Sequence, residues 1–213
     1  AGKPPLTGLT LPSLCWVRDN EPDTFARATG FLLPKDFLRL RLTGERATDV
    51  GDASGTMLLD LKSRSWSDAL CAAGDIDLTL LPNVYEGPNT TGMVHAAAAQ
   101  ATGLAEGTPV IAGGGDQQAG AIGCGVVAPG TVSLNLGTSG VLFAATEAPP
   151  SLPPKGLHAF CHSVPDTWHV MGVMLSAGGA LRWWRDICGS DYDTLVSEAL
   201  DSEGVRFTPY LAG

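Results

Sequence analysis

One stretch of the chain, residues 110–145, constrains the fold most, because a triple glycine there separates a short apolar strand from a helix that begins with an acid. Val110-Ile111-Ala112 is typical of a buried strand, and the glycines at 113–115 end it where the backbone turns tightly or another group comes close. Asp116 follows directly, and the small residues of 117–123 predict a helix packed closely on a sheet. Open α/β sheets place reactive groups at the carboxyl ends of their strands, facing a crevice. We therefore predict that Asp116 is a functional carboxylate.

The same stretch continues into a predicted hairpin whose tip is Gly137-Thr138-Ser139-Gly140. Residues 131–136 alternate polar and apolar side chains, and 141–144 resume the strand pattern. Such a tip is often plain turn chemistry, but its glycines also let backbone N–H groups converge on an anion, with two hydroxyls nearby. A carboxylate and an anion cradle on successive strand ends predict a site that moves a phosphoryl group onto a hydroxyl.

Two segments carry a resemblance to a known family: Gly-Gly-Gly-Asp-Gln-Gln-Ala-Gly-Ala at 113–121 and Ser-Leu-Asn-Leu-Gly-Thr-Ser-Gly at 133–140. They resemble the catalytic core of the FGGY carbohydrate kinases, within the actin-like ATPase superfamily. Segments 33–44, 52–56 and 171–186 are also similar to this family, most of all to its xylulokinases, so the resemblance covers nearly the whole chain. It implies an α/β fold of the actin-like ATPase (ribonuclease H-like) type, in part, with mixed sheets flanked by helices.

The resemblance also implies roles for particular residues. Asp116 would be the general base that accepts the proton of a sugar hydroxyl, and it would bind substrate together with Gln117. ATP and Mg²⁺ are the implied cofactors. The implied nucleotide-binding residues are Gly137, Thr138, Ser139, Gly178 and Arg182. For the glycine pair at 178 and 179, close packing before a helix is the commoner reason in general.

The resemblance leaves the acceptor open. A ketopentose such as D-xylulose is the first hypothesis, but the pair Gln117-Gln118 is also similar to glycerol kinases, so glycerol or another polyol remains an alternative. A second alternative is a non-catalytic actin-like module that binds nucleotide, although such a module has little need for a base like Asp116. A hydrolase that uses Ser139 as nucleophile does not fit, because the tip lacks the G-x-S-x-G spacing.

The resemblance predicts two partial domains. Residues 1–122 would be the C-terminal part of the sugar-binding N-terminal domain, and 123–213 the N-terminal part of the nucleotide-binding C-terminal domain. The family's N-terminal glycine-rich hairpin and its C-terminal adenine motif are not in this sequence. We therefore expect the chain to be an internal segment that is inactive on its own.

Composition restricts the partners. The net charge of -9 and the absence of a basic stripe in the sequence argue against a nucleic-acid surface, and no apolar run approaches the roughly 20 residues that span a bilayer. The N-terminus has no signal-peptide pattern, and the five cysteines are scattered as reduced thiols would be, so a cytoplasmic location is expected. The expected partners are sugar and ATP, with no nucleic acid and no membrane, and a homodimer is left open.

Three smaller expectations concern local structure. His158, Cys161 and His162, with His169 close behind, have metal-like spacing, but alternation on two adjacent strands is favoured. The isolated aspartates Asp49, Asp52, Asp60 and Asp68 are expected to form turns. Residues 31–33 are predicted to be a strand, followed by a helix that begins at Pro34 and ends at Thr43-Gly44.

Overall fold

The computed structural model describes residues 4–150, 156–199, 204 and 206–211, and it combines helices with four small sheets. The helices are α1 (Thr10–Asn20), α2 (Pro22–Ala26), α3 (Pro34–Thr43), α4 (Val50–Gly55), α5 (Asp68–Gly74), α6 (Ala96–Thr102), α7 (Asp116–Gly123), α8 (Gly178–Cys188) and α9 (Tyr192–Glu198), with a 3-10 turn at Leu78–Leu80. The strands are β1 (Ala47–Asp49), β2 (Leu59–Asp60), β3 (Ser65–Trp66), β4 (Asn83–Tyr85), β5 (Thr90–Met93), β6 (Pro109–Ile111), β7 (Val132–Leu136), β8 (Gly140–Thr146), β9 (Leu157–Cys161) and β10 (Trp168–Met174). Among the described residues, no helix is both long and apolar enough to cross a bilayer.

The largest sheet belongs to the second half of the chain and is antiparallel throughout, in the order β7-β8-β10-β9. The predicted hairpin closes where Leu136 pairs with Gly140. In the first half, β1 runs parallel to β4, whereas β2 pairs with β3, and β5 with β6, in antiparallel fashion. The predicted α/β architecture is therefore confirmed, with one parallel and three antiparallel sheets among the described residues.

Proline and glycine set several boundaries as the sequence predicts. Pro34 begins α3, and Gly44 ends it with a left-handed φ of 80°. The predicted strand at 31–33 is wrong, because these residues have no strand conformation. The amide of Phe31 donates to the Leu80 carbonyl at 2.8 Å. One such bond does not make the ladder that a strand requires.

Three of the four residues with metal-like spacing lie on adjacent strands, as expected, and His162 directly follows the first of these strands. His158 and Cys161 are on β9, whose partner β10 carries His169 opposite Phe160. The His169 ring stacks against Phe143, with ring centroids 4.0 Å apart. In the part of the chain that the structure describes, no group of three or more His, Cys, Asp or Glu residues could hold a metal ion.

Two apolar clusters hold α7 and the large sheet in place. Ala121 of α7 packs with Val126, Phe143 and Ala145, so the helix lies against the inner face of β8. A second cluster joins the two halves of the chain. Its buried members are Val50, Ala53, Leu59, Leu61, Ala159 and Cys161. The proposed boundary between residues 122 and 123 is thus bridged by shared core, and the division into two domains stays a prediction.

Candidate active site

Asp116 is the first residue of α7, and its side chain is exposed. Its Oδ1 accepts a hydrogen bond from the Gln117 amide at 2.9 Å, and the Gln117 side-chain Nε2 donates to Oδ2 at 3.4 Å. The preceding Gly113 has a φ of 79°, which a side-chain-bearing residue rarely adopts, so the chain needs glycine to turn from β6 into α7. The glycine turn therefore places Asp116 at the surface.

A polar cavity of about 250 Å³ lies between the start of α7 and the hairpin strand β7. Asp116 and Gln117 line one side, Ser133 and Asn135 line the other, and Phe143 also contributes to its wall. A carboxylate, two amides and a hydroxyl around such a space suit a small molecule that carries several hydroxyl groups. The structure thus brings the two predicted substrate-binding residues to one cavity. We call it the acceptor cavity.

Sequence analysis missed Ser133 and Asn135 as cavity residues. They pair with Phe143 and Val141 on β8, two positions apart on one strand, so their side chains share a face. The alternating pattern of 131–136 carried this signal. It did not indicate which side of the sheet α7 would cover.

The predicted phosphate loop, residues 137–140, lies at the end of β7 and packs on the start of α8. The carbonyl of Gly137 accepts from the Gly178 amide at 3.0 Å, and the carbonyl of Thr138 accepts from the amides of Ala177 and Gly179 at 2.8 and 3.0 Å. The Ser139 hydroxyl donates to the Leu175 carbonyl at 2.9 Å. The loop is thus held firmly, but the first amides of α8 are already occupied by loop carbonyls.

The structure therefore brings Gly137, Thr138, Ser139 and Gly178 together. Thr138 and Ser139 are both exposed. Thr138, however, does not line the acceptor cavity. Arg182 is exposed one turn after Gly178 on α8. Their predicted contacts with a nucleotide stay a prediction.

Close packing explains the glycine at position 178. A Cβ placed there would lie 2.5 Å from the Gly137 carbonyl oxygen, which no side chain tolerates. At Gly179 a Cβ would lie 3.0 Å from the Thr138 methyl group. The contact between the phosphate loop and α8 thus depends on the absence of a side chain at position 178.

Gly178→Ala is expected to lower the free energy of unfolding by about 1–3 kcal/mol, because the added methyl group must displace loop backbone. Urea denaturation measures this change. Gly123→Ala is the matched control, since a Cβ there meets nothing within 4 Å at the end of α7. We expect the control to be neutral or to raise stability by about 0.4–1 kcal/mol. Equal stability of Gly178→Ala and the parent would contradict the packing argument.

A largely buried group of charges lies next to the glycine turn that precedes Asp116, and it was not predicted from the sequence. We call it the α3 charge cluster; it consists of Lys35, Asp36, Arg39, Asp49 and Asp52. The Lys35 Nζ lies 2.6 Å from Asp36 Oδ1, 2.8 Å from Asp49 Oδ1 and 3.6 Å from Asp52 Oδ2. Arg39 Nη1 also donates to Asp36 Oδ1 at 2.6 Å. The interpretation of Asp49 and Asp52 as turn formers is therefore incomplete.

Burial and charge oppose each other within the α3 charge cluster. Burial by itself lowers the pKa of Lys35, but attraction from Asp49 and Asp36 outweighs it and the pKa lies above its usual value. Burial raises the pKa of Asp52, attraction from Lys35 opposes this effect, and repulsion from Asp49 and Asp36 adds to it, so that the pKa lies above its usual value. The negative charges of the three aspartates in the cluster are thus compensated by Lys35 and Arg39. The signal in the sequence is the i, i+4 spacing of Lys35 and Arg39, which puts both cations on one helix face.

His162 fixes the segment that connects α7 to β7. Its Nδ1 accepts from the Val164 amide at 3.0 Å, so the proton is assigned to Nε2, which donates to the Val126 carbonyl at 3.0 Å. Burial lowers the pKa of His162; the Val126 carbonyl opposes this effect and the charge of Arg64 adds to it. A neutral imidazole therefore holds the connection between the Asp116 helix and the phosphate-loop strand.

The fold of this chain is similar to those of solved sugar kinases. The crystal structure of a xyloylose kinase from Brucella ovis matches 96% of this chain and 43% of that chain, with a TM-score of 0.85 and 44% identity. The xylulose kinase from Rhodospirillum rubrum matches 91% of this chain and 39% of that chain, with a TM-score of 0.81 and 28% identity. The chain thus has the actin-like ATPase fold of these sugar kinases, as predicted.

The family follows from the sequence. The domain described as the FGGY family of carbohydrate kinases, N-terminal domain, matches residues 1–123. The xylulose kinase of Escherichia coli K12 is 46% identical over 98% of this chain. The chain belongs to the FGGY family of carbohydrate kinases. It spans 44% of the length of the E. coli relative.

Proposed function

We propose that this chain forms part of an ATP-dependent sugar kinase that phosphorylates a ketopentose, converting D-xylulose to D-xylulose 5-phosphate. The observation that carries the proposal is the exposed carboxylate of Asp116 on the acceptor cavity, opposite the strand that leads into the phosphate loop. The xylulose kinases among its relatives support the choice of sugar.

In the proposed reaction, Asp116 hydrogen-bonds the attacking hydroxyl and accepts its proton as the oxygen bonds to the γ-phosphorus of ATP. ADP leaves with the electrons of the broken phosphate bond. Gln117, whose amide already lies next to the carboxylate, binds a neighbouring sugar hydroxyl. Alignment of the acceptor is the main contribution that these residues make, because phosphoryl transfer depends on positioning and on charge stabilisation.

The exposed loop of Thr138 and Ser139 is proposed to bind the phosphates, with Gly137, Gly178 and Arg182 nearby. ATP would bind there as its Mg²⁺ complex, in which the metal would neutralise phosphate charge. The Gly137 amide donates to the Ser139 carbonyl at 2.9 Å. The amides of Thr138 and Ser139 are therefore the proposed phosphate donors.

A polyol acceptor has less support from the structure. The hypothesis came from the pair Gln117-Gln118, but Gln118 is buried and only Gln117 lines the acceptor cavity. One side chain of the pair is therefore available to a substrate.

ADP release by the complete product of the gene that encodes this chain tests the proposal across D-xylulose, glycerol and gluconate. We expect kcat/KM for D-xylulose to exceed the others by about tenfold or more, because the cavity contacts discriminate between acceptors in the transition state. Faster turnover of glycerol would favour the polyol kinase. Nucleotide binding without turnover of any acceptor would favour the non-catalytic module.

A further inference from the structure

The first turn of α4 is fixed by a single carboxylate. Asp49 Oδ2 accepts from the amides of Gly51 at 2.7 Å and Asp52 at 3.1 Å, which satisfies two N–H groups at the helix start. Its other oxygen is ion-paired with Lys35 at 2.8 Å. Both Lys35 and Asp49 are largely or fully withdrawn from solvent, with exposed side-chain fractions of 26% and 0%. Lys35 therefore binds the carboxylate that caps α4.

The start of α4 in turn packs directly on the start of α7. A Cβ at Gly51 would lie 3.4 Å from Gln118 Cγ and 2.9 Å from Ser163 Oγ. A Cβ at Gly115 would lie 3.4 Å from Asp52 Oδ1 and 2.7 Å from Gln118 Oε1. The two helix starts thus approach each other through glycines and the buried Gln118, and a side chain at either glycine would have to displace neighbouring side-chain atoms. A shift of α4 would be transmitted to the residue before Asp116.

Helix α3, which carries Lys35, also holds the end of the strand that precedes the glycine turn. Arg39 Nη2 donates to the Ala112 carbonyl, and its Nη1 donates to the Ala47 carbonyl of β1. Lys35 and Arg39 lie one helical turn apart on α3. Arg39 binds the chain before the glycine turn, whereas Lys35 holds the carboxylate that caps α4.

The glycine turn needs such support. Glycine populates many backbone conformations, so three in succession do not by themselves define where Asp116 enters the acceptor cavity. We propose that Lys35 and Asp52 are positioning residues for Asp116, which hold α4 against the glycine turn and thereby set the place of the catalytic carboxylate. The assignment of a catalytic role to Asp116 rests on the proposed function, whereas the mechanical link does not.

Amide hydrogen exchange within the complete gene product tests the mechanical link without any measurement of activity. The reporter amides are those of Ala112, Gly113 and Ala119, which donate to the carbonyls of Asn89, Gly87 and Gly115. Lys35→Met and Asp52→Asn are expected to speed their exchange about tenfold or more through local opening. Lys35→Arg should restore most of the protection. Lys62→Met is the control, because Lys62 is exposed between β2 and β3.

If Lys35→Met fails to fold, Asp52→Asn decides the test. The Asp52→Asn variant keeps the ion pair between Lys35 and Asp49 and is therefore less disruptive. Unchanged exchange at the reporter amides in Asp52→Asn would overturn the proposal. Exchange that rises equally throughout the chain would also overturn it, since this would indicate a general loss of stability.

Steady-state kinetics of the complete gene product test whether this link affects catalysis. Asp52→Asn is expected to lower kcat about tenfold or more while KM for the sugar stays within about twofold, because alignment of the base matters in the transition state. A rise in KM with unchanged kcat would overturn the assignment to Asp116. If the unsubstituted protein has no kinase activity, the proposed function fails, and hydrogen exchange still decides whether Lys35 and Asp52 position this residue.

Discussion

Asp116→Asn is expected to lower kcat for sugar phosphorylation by about 10²–10⁴-fold in the complete gene product, which is the usual contribution of a general base. Asparagine keeps the size of the side chain and can still hydrogen-bond an acceptor hydroxyl, but it cannot take its proton. KM for the sugar should therefore change little compared with kcat. Steady-state ADP release at saturating ATP measures both constants.

Stability should not change in the same variant, because the carboxylate is exposed and its hydrogen bonds are confined to Gln117. We expect the free energy of unfolding to stay within about 0.5 kcal/mol of the parent. Asp166→Asn is the matched control: Asp166 is exposed, and its φ of 53° is one that asparagine adopts readily. Turnover by Asp116→Asn at more than about a tenth of the parent rate would rule out Asp116 as the base.

Local features of the fold could be predicted from the sequence because their causes lie within a few residues. The glycine turn, α7 and the hairpin at 137–140 follow from glycine positions and from the alternation of polar and apolar residues. Pro34 and Gly44 set the ends of α3 in the same way. Residues 31–33 have the composition of a strand, but a strand also needs a partner, and no local pattern supplies one.

The α3 charge cluster could not be predicted, because its contacts join distant parts of the chain. Arg39 and its acceptor Ala112 are 73 residues apart, and the aspartates look like ordinary turn residues when each is considered alone. The pattern of α3 is also misleading: Phe37 and Leu38 are more than half exposed, whereas Asp36 and Arg39 are buried. A prediction based on hydrophobicity would turn this helix the wrong way round.

The candidate site, like the fold, could be predicted only in part from the sequence. A carboxylate after a strand is recognisable from sequence, but its surroundings in the acceptor cavity depend on how α7 packs on the sheet. The glycine pair at 178 and 179 admitted both a nucleotide contact and close packing. Packing is now shown for Gly178, since its amide and its missing side chain both serve the contact with Gly137.

Arg39→Met is expected to lower the free energy of unfolding by about 3–5 kcal/mol, the usual effect of removing one member of a buried ion pair. Arg39 is 5% exposed, and its loss leaves the buried Asp36 with Lys35 as its remaining cation in the α3 charge cluster. The carbonyls of Ala47 and Ala112 lose their guanidinium donor as well. Methionine fills most of the volume, so the change reports lost charge and hydrogen bonding. Urea denaturation measures it.

Arg41→Met provides the matched control on the same helix, because Arg41 is exposed and the substitution has the same effect on helix propensity. We expect this control to stay within about 0.5 kcal/mol of the parent. The double variant of Asp36→Asn with Arg39→Met isolates the pair itself. Once Asp36 is neutral, removal of the guanidinium no longer leaves a poorly compensated buried charge. The double variant should therefore lose less than the sum of the single losses. Strict additivity would mean that Arg39 stabilises the fold through the carbonyls of Ala47 and Ala112 alone.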